Sequence, residues 1–378
     1  MFDRFLRQLG EILAEDESRC RAIARLSIWF RRGISLLALG WVATLFICIL
    51  LFRVVGENNL SIAFALYTPR VLLLVPFLLL IPLVLIFHWR LLPVLLIGGL
   101  IFIHYGMGWR FAHRPEAAPS KTGESLSVMT YNRGQHMNQS LQPFKEATRP
   151  DIIAFQEAAY RAAGYANAVG YEEFVATDSI GEFTLLSRYP IISSSLIEIP
   201  DGQRPMQPVA RFEIDFSGTR IAIYSVHFLS PRDTLGYYRR GAFLYGILGL
   251  PGTPWAEKRR LNQQFWDARV VQAQAFAKIV DEDPLPTIVV GDFNAPSGGF
   301  IHGIFRNILT DSHEAAGHGF GYSFPGTTRN PLSRGGPWMR IDYLFCDEHW
   351  ETNWCITEAD RPSQHRAVAA QFQLLPKP

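Results

Sequence analysis

The chain changes its hydrophobic pattern about a third of the way along. Between residues 33 and 107 apolar residues run on with almost no polar face. Beyond about 125 they fall into short runs punctuated by Gly, Pro, Asn and Asp. Three runs stand out in the first region: "GISLLALGWVATLFICILLFRV" (33–54), "VLLLVPFLLLIPLVLIFH" (71–88) and "LLPVLLIGGLIFIHYGM" (91–107). A helix needs roughly 20 apolar residues, with a range of 17–25, to cross a bilayer core. The pattern therefore predicts three transmembrane helices at about 33–53, 71–88 and 91–107. A cleaved signal sequence is a poor account of the first run, because a long segment of mixed charge precedes it and two more runs follow. A buried helical hairpin is a poor account of the other two, because neither has a polar face to turn to water.

Residues 108–124, "GWRFAHRPEAAPSKTGE", are polar and carry Pro, Ala and Ser, as a linker does. After them, "LSVMTYN" (126–132), "DIIAFQEA" (151–158), "FTLLSRYPII" (183–192), "VARFEIDF" (209–216), "RIAIYSVHF" (220–228), "TIVVGDF" (287–293), "IDYLFC" (341–346) and "VAAQFQL" (368–374) read as strands. "LQPFKEA" opens a helix, and residues 257–280 carry apolar side chains at helical spacing. Many strands with few, spaced helices indicate a layered α/β sandwich over 125–378. No internal repeat is evident.

Charge adds a direction and a bias. Residues 1–32 carry Arg4, Arg7, Arg19, Arg21, Arg25, Arg31 and Arg32, which places this segment in the cytoplasm. Three crossings then put the C-terminal part on the outside of the cell or inner membrane, in the periplasm if the source is bacterial. The whole chain has a net charge of +2, yet residues 115–378 hold 24 Lys/Arg against 28 Asp/Glu. A mildly acidic domain counts against non-specific nucleic-acid binding, which shows as a basic surface. Of four cysteines, Cys346 and Cys355 flank the short segment "DEHWETN". They are either a disulfide between two antiparallel strands, permitted outside the cytoplasm, or two small buried residues.

The candidate chemistry lies at the strand ends. "TYN" ends at Asn132, "FQEA" presents Gln156 and Glu157, and "SVHF" presents His227. "GDFN" presents Asp292 and Asn294, "RIDY" presents Asp342, and "SQHR" presents Gln364 and His365. Period 2 in a strand points Asp292 and Asn294 the same way. One polar strand end is ordinarily a turn; six of them, nearly all Asn, Asp, Glu or His, indicate one shared site at a sandwich edge.

These segments resemble the endonuclease/exonuclease/phosphatase superfamily, the fold of DNase I, exonuclease III, inositol-polyphosphate 5-phosphatases and neutral sphingomyelinases. "GDFN", "RIDY" and a terminal "S-x-H" in that order carry the resemblance, and "LLSRYPI" (185–191) matches the segment between the Glu and His strands. The resemblance covers about 125–375 and implies a four-layer α/β sandwich. It implies a metal-dependent phosphoric ester hydrolase, in which a hard divalent cation, Mg²⁺ with Mn²⁺ as a substitute, offsets the anionic charge of the ester. Glu157 would be the main metal ligand, with Asn132 beside it. His365 would be the general base, Asp342 would orient it, and Asp292 would position the attacking water. Asn294 and His227 would donate hydrogen bonds to the charge developing on phosphorus. Gln364 stands where the family usually carries Asp, a weaker third metal ligand. Either the site works with one metal through Glu157, or its activity is reduced.

Residues 229–256 form a long connection after His227, with Tyr237, Tyr238, Phe243, Leu244, Tyr245, Ile247, Leu248, Leu250 and Trp255 beside Arg239 and Arg240. The loop either packs back on its own core or faces a membrane, where aromatics sit at headgroup level and arginines meet lipid phosphates. With the short tether to a bilayer, it favours a phospholipid or sphingolipid phosphodiester as substrate. A membrane-tethered nuclease, kept open by Arg239, Arg240 and Lys258–Arg260, and a membrane scaffold that binds a phosphorylated ligand without turnover are the alternatives. No protein partner is legible in the sequence.

Overall fold

The computed structural model describes residues 4, 6–7, 17–112, 124–134, 140–200, 205–231, 249–326, 335–361 and 363–376. They divide into two units, Met1–Leu51 with Pro69–Met107, and Phe52–Thr68 with Gly108–Pro378. Most of the linker expected at 108–124 and most of the aromatic loop expected at 229–256 lie outside the described residues.

The first unit is apolar and helical. It contains most of helix α1 (Glu17–Val54); α2 (Leu60–Leu66) belongs to the other unit, and α3 (Phe77–His88) and α4 (Leu92–Ile101) complete the first. Among the described residues two helical stretches are long and apolar enough to cross a membrane, Ala24–Val54 and Arg70–Gly106. The expectation of three separate transmembrane helices is corrected to this extent: the runs at 71–88 and 91–107 are joined in the second stretch. That stretch is not a straight rod. A 3₁₀ turn at Trp89–Leu91 separates α3 from α4, a Cβ on Gly99 would lie 3.5 Å from the Phe77 ring, and Arg70 Nη1 donates to the Gly106 carbonyl at 2.6 Å. A straight helix at 1.5 Å per residue would hold positions 77 and 99 about 33 Å apart, so α3 and α4 double back on one another. Leu36, Leu78 and Leu79 are 73%, 74% and 72% exposed, apolar side chains with no protein cover.

The second unit is the sandwich. Its strands are β1 (Arg110–Phe111), β2 (Ser125–Asn132), β3 (Ile152–Gln156), β4 (Ala176–Ile180), β5 (Phe183–Ser187), β6 (Ile191–Pro200), β7 (Pro205–Phe216), β8 (Thr219–His227), β9 (Thr287–Asp292), β10 (Thr310–Asp311), β11 (His318–Gly319), β12 (Asp342–Cys346), β13 (Trp350–Thr357) and β14 (Val368–Leu374). Among the described residues they form two six-stranded mixed sheets, ordered β13-β14-β2-β3-β5-β4 and β10-β12-β9-β8-β7-β6, with β1 and β11 paired apart. The inner faces meet in one core, where Leu126, Val128, Ile152 and Leu185 of the first sheet pack with Phe212, Ile223, Ile288 and Val290 of the second. Alternate residues face outward and are buried in turn. Tyr224, Val226 and Val289 pack under α5 (Ala256–Asp281) and α6 (Phe300–Arg306), and Met129, Ile153 and Leu186 pack under Leu141, Tyr165 and Phe174. The result is four layers, and it explains why the central strands read as continuous apolar runs.

Cys346 and Cys355 are free and buried. Of the two alternatives, the buried pair holds and the disulfide does not: β12 and β13 lie in opposite sheets, and both thiols enter the core between the sheets.

Register brings the strand ends together. β8 and β9 are parallel with His227 opposite Asp292; β9 and β12 are antiparallel with Asp342 opposite Asp292; β2 and β3 are parallel with Asn132 opposite Gln156. Gly291 makes the β8–β9 approach feasible. Its φ is +133°, and a Cβ there would lie 2.1 Å from the Val226 carbonyl oxygen. Gly291→Ala is expected to lower the melting temperature of the full-length protein in detergent by ~5–10 °C; an unchanged melting curve would contradict this packing.

Candidate active site

The site is built around Asp292 at the end of β9, which is 1% exposed. Its Oδ1 accepts the Asn294 backbone N–H at 2.8 Å, and its Oδ2 accepts Asn132 Nδ2 at 3.0 Å and Asn294 Nδ2 at 3.2 Å. Two imidazoles face it, His365 Nε2 at 3.7 Å and His227 Nε2 at 3.8 Å. Asp292, Asn294 and the turn that joins them are a tight local structure: Asn294 adopts a left-handed φ of +49°, a conformation Asn tolerates better than most residues.

His365 lies in the turn before β14. Its Nδ1 is 3.0 Å from Asp342 Oδ2, and Phe324 packs against the ring. Burial disfavours the charged ring, but the carboxylates of Asp342 and Asp292 outweigh it and raise the pKa to about 9. His227 repeats the arrangement. Its Nδ1 is 2.9 Å from Glu182 Oε2, and burial is again outweighed, here by Glu182, Asp292 and Glu157, with the pKa raised to about 9. Asp292 is pushed up by burial, despite the opposing charge of His365.

Glu157 follows β3 with a left-handed φ of +51°, so its carboxylate leaves the strand direction and reaches Asn132 Nδ2 at 3.2 Å and His227 Nε2 at 3.8 Å. Asn132 thus bridges Glu157 and Asp292, while its Oδ1 accepts the Gly134 N–H. Asn294 is placed differently from its expected role. Its side-chain amide donates to Phe228 O at 2.8 Å and to Asp292, so it fixes the Asp292 loop instead of pointing outward as a donor. Gln364 is exposed, unlike the buried residues around it, and its carbonyl accepts the Gly326 N–H.

The donor set fits a hard divalent cation. Asp292, Asp342 and His365 offer ligand atoms within 4.8 Å of one another, and Glu157 adds a further carboxylate beside Asn132 and His227. A buried carboxylate with its proton affinity raised is a site where positive charge is deficient, and oxygen donors suit Mg²⁺-like ions. Glu157 and Asp292 are the carboxylates that would hold such an ion; Asn132, the other expected ligand, turns its amide nitrogen toward both of them and its oxygen to the Gly134 N–H.

Sequence reading missed Glu182, which orients His227. The signal was an acidic residue immediately before a buried strand, "EFTLLS". It also missed Ser323, whose Oγ accepts the Asp342 backbone N–H at 3.2 Å, and Tyr67 and Arg269, which both donate to the Asn294 carbonyl.

The Asp342 contact sets the His365 titration, so in metal-free protein Asp342→Asn is expected to bring the His365 pKa down from about 9, read by histidine ring NMR shifts. No movement would mean the pairing is absent. Because the folded-state pKa of His365 lies above the unfolded value of about 6.5, the stability this contact contributes is complete below that pH and is lost as pH rises through about 9.

The profile of the Endonuclease/Exonuclease/phosphatase family matches residues 135–365, in line with this geometry. The comparison with curated proteins finds no match. Among solved structures, a humanized D. rerio TDP2 is similar at 14% identity, covering 66% of this chain and 99% of that one with a TM-score of 0.46. An endonuclease/exonuclease/phosphatase family protein from Bacteroides thetaiotaomicron is similar at 17% identity, covering 68% and 97% with a TM-score of 0.45. A mannosyl-6-phosphatase from the same species is similar at 16% identity, covering 65% and 99% with a TM-score of 0.45. The chain belongs to the endonuclease/exonuclease/phosphatase family and is a metal-dependent phosphoester hydrolase.

Proposed function

We propose that the protein is a membrane-anchored, Mg²⁺-dependent phosphodiesterase that hydrolyses a phospholipid or sphingolipid head-group ester. In the catalytic step His365 takes a proton from water through Nε2, the nitrogen that faces Asp292. Asp342, bonded to Nδ1, keeps the ring in that orientation and stabilises the cation formed. Asp292 accepts the other hydrogen of the attacking water. His227, held by Glu182, presents Nε2 toward Glu157 and Asp292 and donates to the phosphoryl oxygen or leaving group. A bound Mg²⁺ supplies charge neutralisation and polarises the phosphoryl group. A pKa of about 9 keeps the His365 ring protonated at neutral pH in metal-free protein, and the base role requires the field of the carboxylates to be opposed, as a cation bound among them would do.

The observation that carries the lipid reading is chain connectivity. Residues Phe52–Thr68, which join the first apolar helix to the second apolar stretch, are part of the same unit as the active site. Tyr67, three residues before that stretch begins at Arg70, bonds to Asn294 beside the catalytic carboxylate. A site linked through so few residues of chain to apolar helices is suited to a substrate that lives in the bilayer. Connectivity also supports three crossings. Both ends of the doubled-back stretch at 70–106 join the catalytic unit, so the stretch leaves and returns on one side, as two crossings do, and α1 adds one more. The arginines of residues 1–32 then orient the catalytic unit outward.

The test is turnover by the full-length protein in Mg²⁺ and in EDTA, offered mixed phospholipid and sphingomyelin vesicles, plasmid DNA and bis-p-nitrophenyl phosphate. Head-group release from vesicles that EDTA abolishes is expected, with His365→Ala reducing the rate by ~10²–10⁴-fold. Nicked plasmid with intact vesicles would make the protein a tethered nuclease. Bound phosphate ligand without product in every case would make it a binding scaffold.

A further inference from the structure

The catalytic unit is not built from the C-terminal sequence alone. Residues 55–68, which follow the first apolar helix, pack under the active-site loop as one of its supports. Asn59 caps α2 by accepting the N–H groups of Ser61 and Ile62 at 3.0 and 3.3 Å. Leu60, Ala63 and Leu66 on α2 are buried. Gln263 of α5 accepts the Leu60 N–H at 2.9 Å and donates to the Asn58 carbonyl at 2.9 Å. Glu57 is fully buried and accepts the Ile301 N–H at 3.2 Å. Gly299 is pressed so closely by this segment that a Cβ would lie 2.6 Å from Leu66.

At the end of this segment, Tyr67 meets the catalytic loop. Its hydroxyl donates to the Asn294 carbonyl at 2.6 Å, and its ring lies 5.3 Å from that of Trp266. Arg269 of α5 converges on the same carbonyl, donating to Asn294 O at 2.9 Å and to Phe293 O at 3.4 Å, and it also bonds the Leu229 carbonyl two residues past His227. Burial holds the Tyr67 hydroxyl well above the ordinary tyrosine range, so it remains a donor at any working pH. Asn294 needs such support. It holds a left-handed backbone and supplies both its backbone N–H and its side-chain amide to Asp292, so a shift of its peptide moves the carboxylate that faces both imidazoles.

We infer that Tyr67 is a positioning residue of the active site: together with Arg269 it fixes the Asn294 carbonyl, and the segment between the two apolar stretches thereby completes the catalytic centre. The inference rests on the hydrolytic reading for its effect on rate, but not for its effect on the loop. The consequence is a short covalent path from an apolar stretch of the chain to the Asp292 loop, through a residue only three positions from where that stretch begins.

Two measurements on full-length protein in detergent test it, using Tyr67→Phe, which keeps the ring against Trp266, and Asn59→Ala, which loosens the α2 cap without touching Asn294. Deuterium exchange is expected to accelerate at least threefold in the peptide covering 290–298 in Tyr67→Phe, with β2 unchanged, and to stay at the wild-type rate there in Asn59→Ala. Turnover of bis-p-nitrophenyl phosphate is expected to show kcat down about tenfold with KM within twofold for Tyr67→Phe, the size of one buried hydrogen bond. Unchanged exchange at 290–298 overturns the inference whatever the kinetics. Faster exchange there in both variants also overturns it, since the segment would then be only a general support. Faster exchange in Tyr67→Phe alone, in a wild type that turns over nothing, upholds the positioning and removes the hydrolytic reading instead.

Discussion

A carboxylate that is 1% exposed must be paid for by its surroundings, and Asp292 shows how this fold does it. An isolated ion at that depth costs several kcal/mol. Asp292 offsets the cost through two Asn residues and two imidazoles, which come from the ends of β2, β8, the β9 turn and the segment before β14. Each partner is fixed in turn: Asn132 by Gly134, His227 by Glu182, His365 by Asp342, and Asn294 by Phe228 and Tyr67. The two-sheet packing brings these ends to one edge, and the chemistry follows from the edge. The charge deficit that remains there is what a divalent cation would supply.

The organisation of the chain follows the same logic at larger scale. An apolar helical region and a catalytic sandwich are not simply joined end to end, because the chain visits the sandwich once at 52–68 before returning to it at 108. That early visit places Glu57, Leu66 and Tyr67 under the loop that carries Asn294. An enzyme whose support is interleaved in this way cannot be cut at residue 108 without removing part of its own active-site wall.

Much of the site was legible in the sequence. Polar residues at the ends of apolar runs marked Asn132, Glu157, His227, Asp292, Asn294, Asp342 and His365; register aligns Asn132, His227, Asp292 and Asp342, and side-chain contacts bring Glu157, Asn294 and His365 into the same network. The alternation and the "GDFN" and "RIDY" motifs pointed to the sandwich for the same reason: a strand that must stop at a site shows it in its last residues. Other features were beyond the reach of pattern. The choice between a disulfide and two buried residues at Cys346 and Cys355 stays open in the sequence, because sequence proximity says nothing of which sheet a strand joins. The resemblance implies an outward donor at Asn294, but neither motif nor spacing specifies hydrogen-bond partners, and its amide turns to Phe228 and Asp292. Tyr67 and Arg269 carried no local signal at all. Tyr67 reaches the Asn294 carbonyl from 227 positions away, and Arg269 reaches it from a different element 25 positions away.

The central claim is that water, activated at His365, attacks phosphorus. Turnover of bis-p-nitrophenyl phosphate by the full-length protein in ¹⁸O-water with Mg²⁺ tests it most directly. One ¹⁸O atom per turnover is expected in the phosphoryl product and none in the released p-nitrophenol. Label in the phenol instead would show cleavage of the carbon–oxygen bond, and the geometry around Asp292 and His365 would need another explanation.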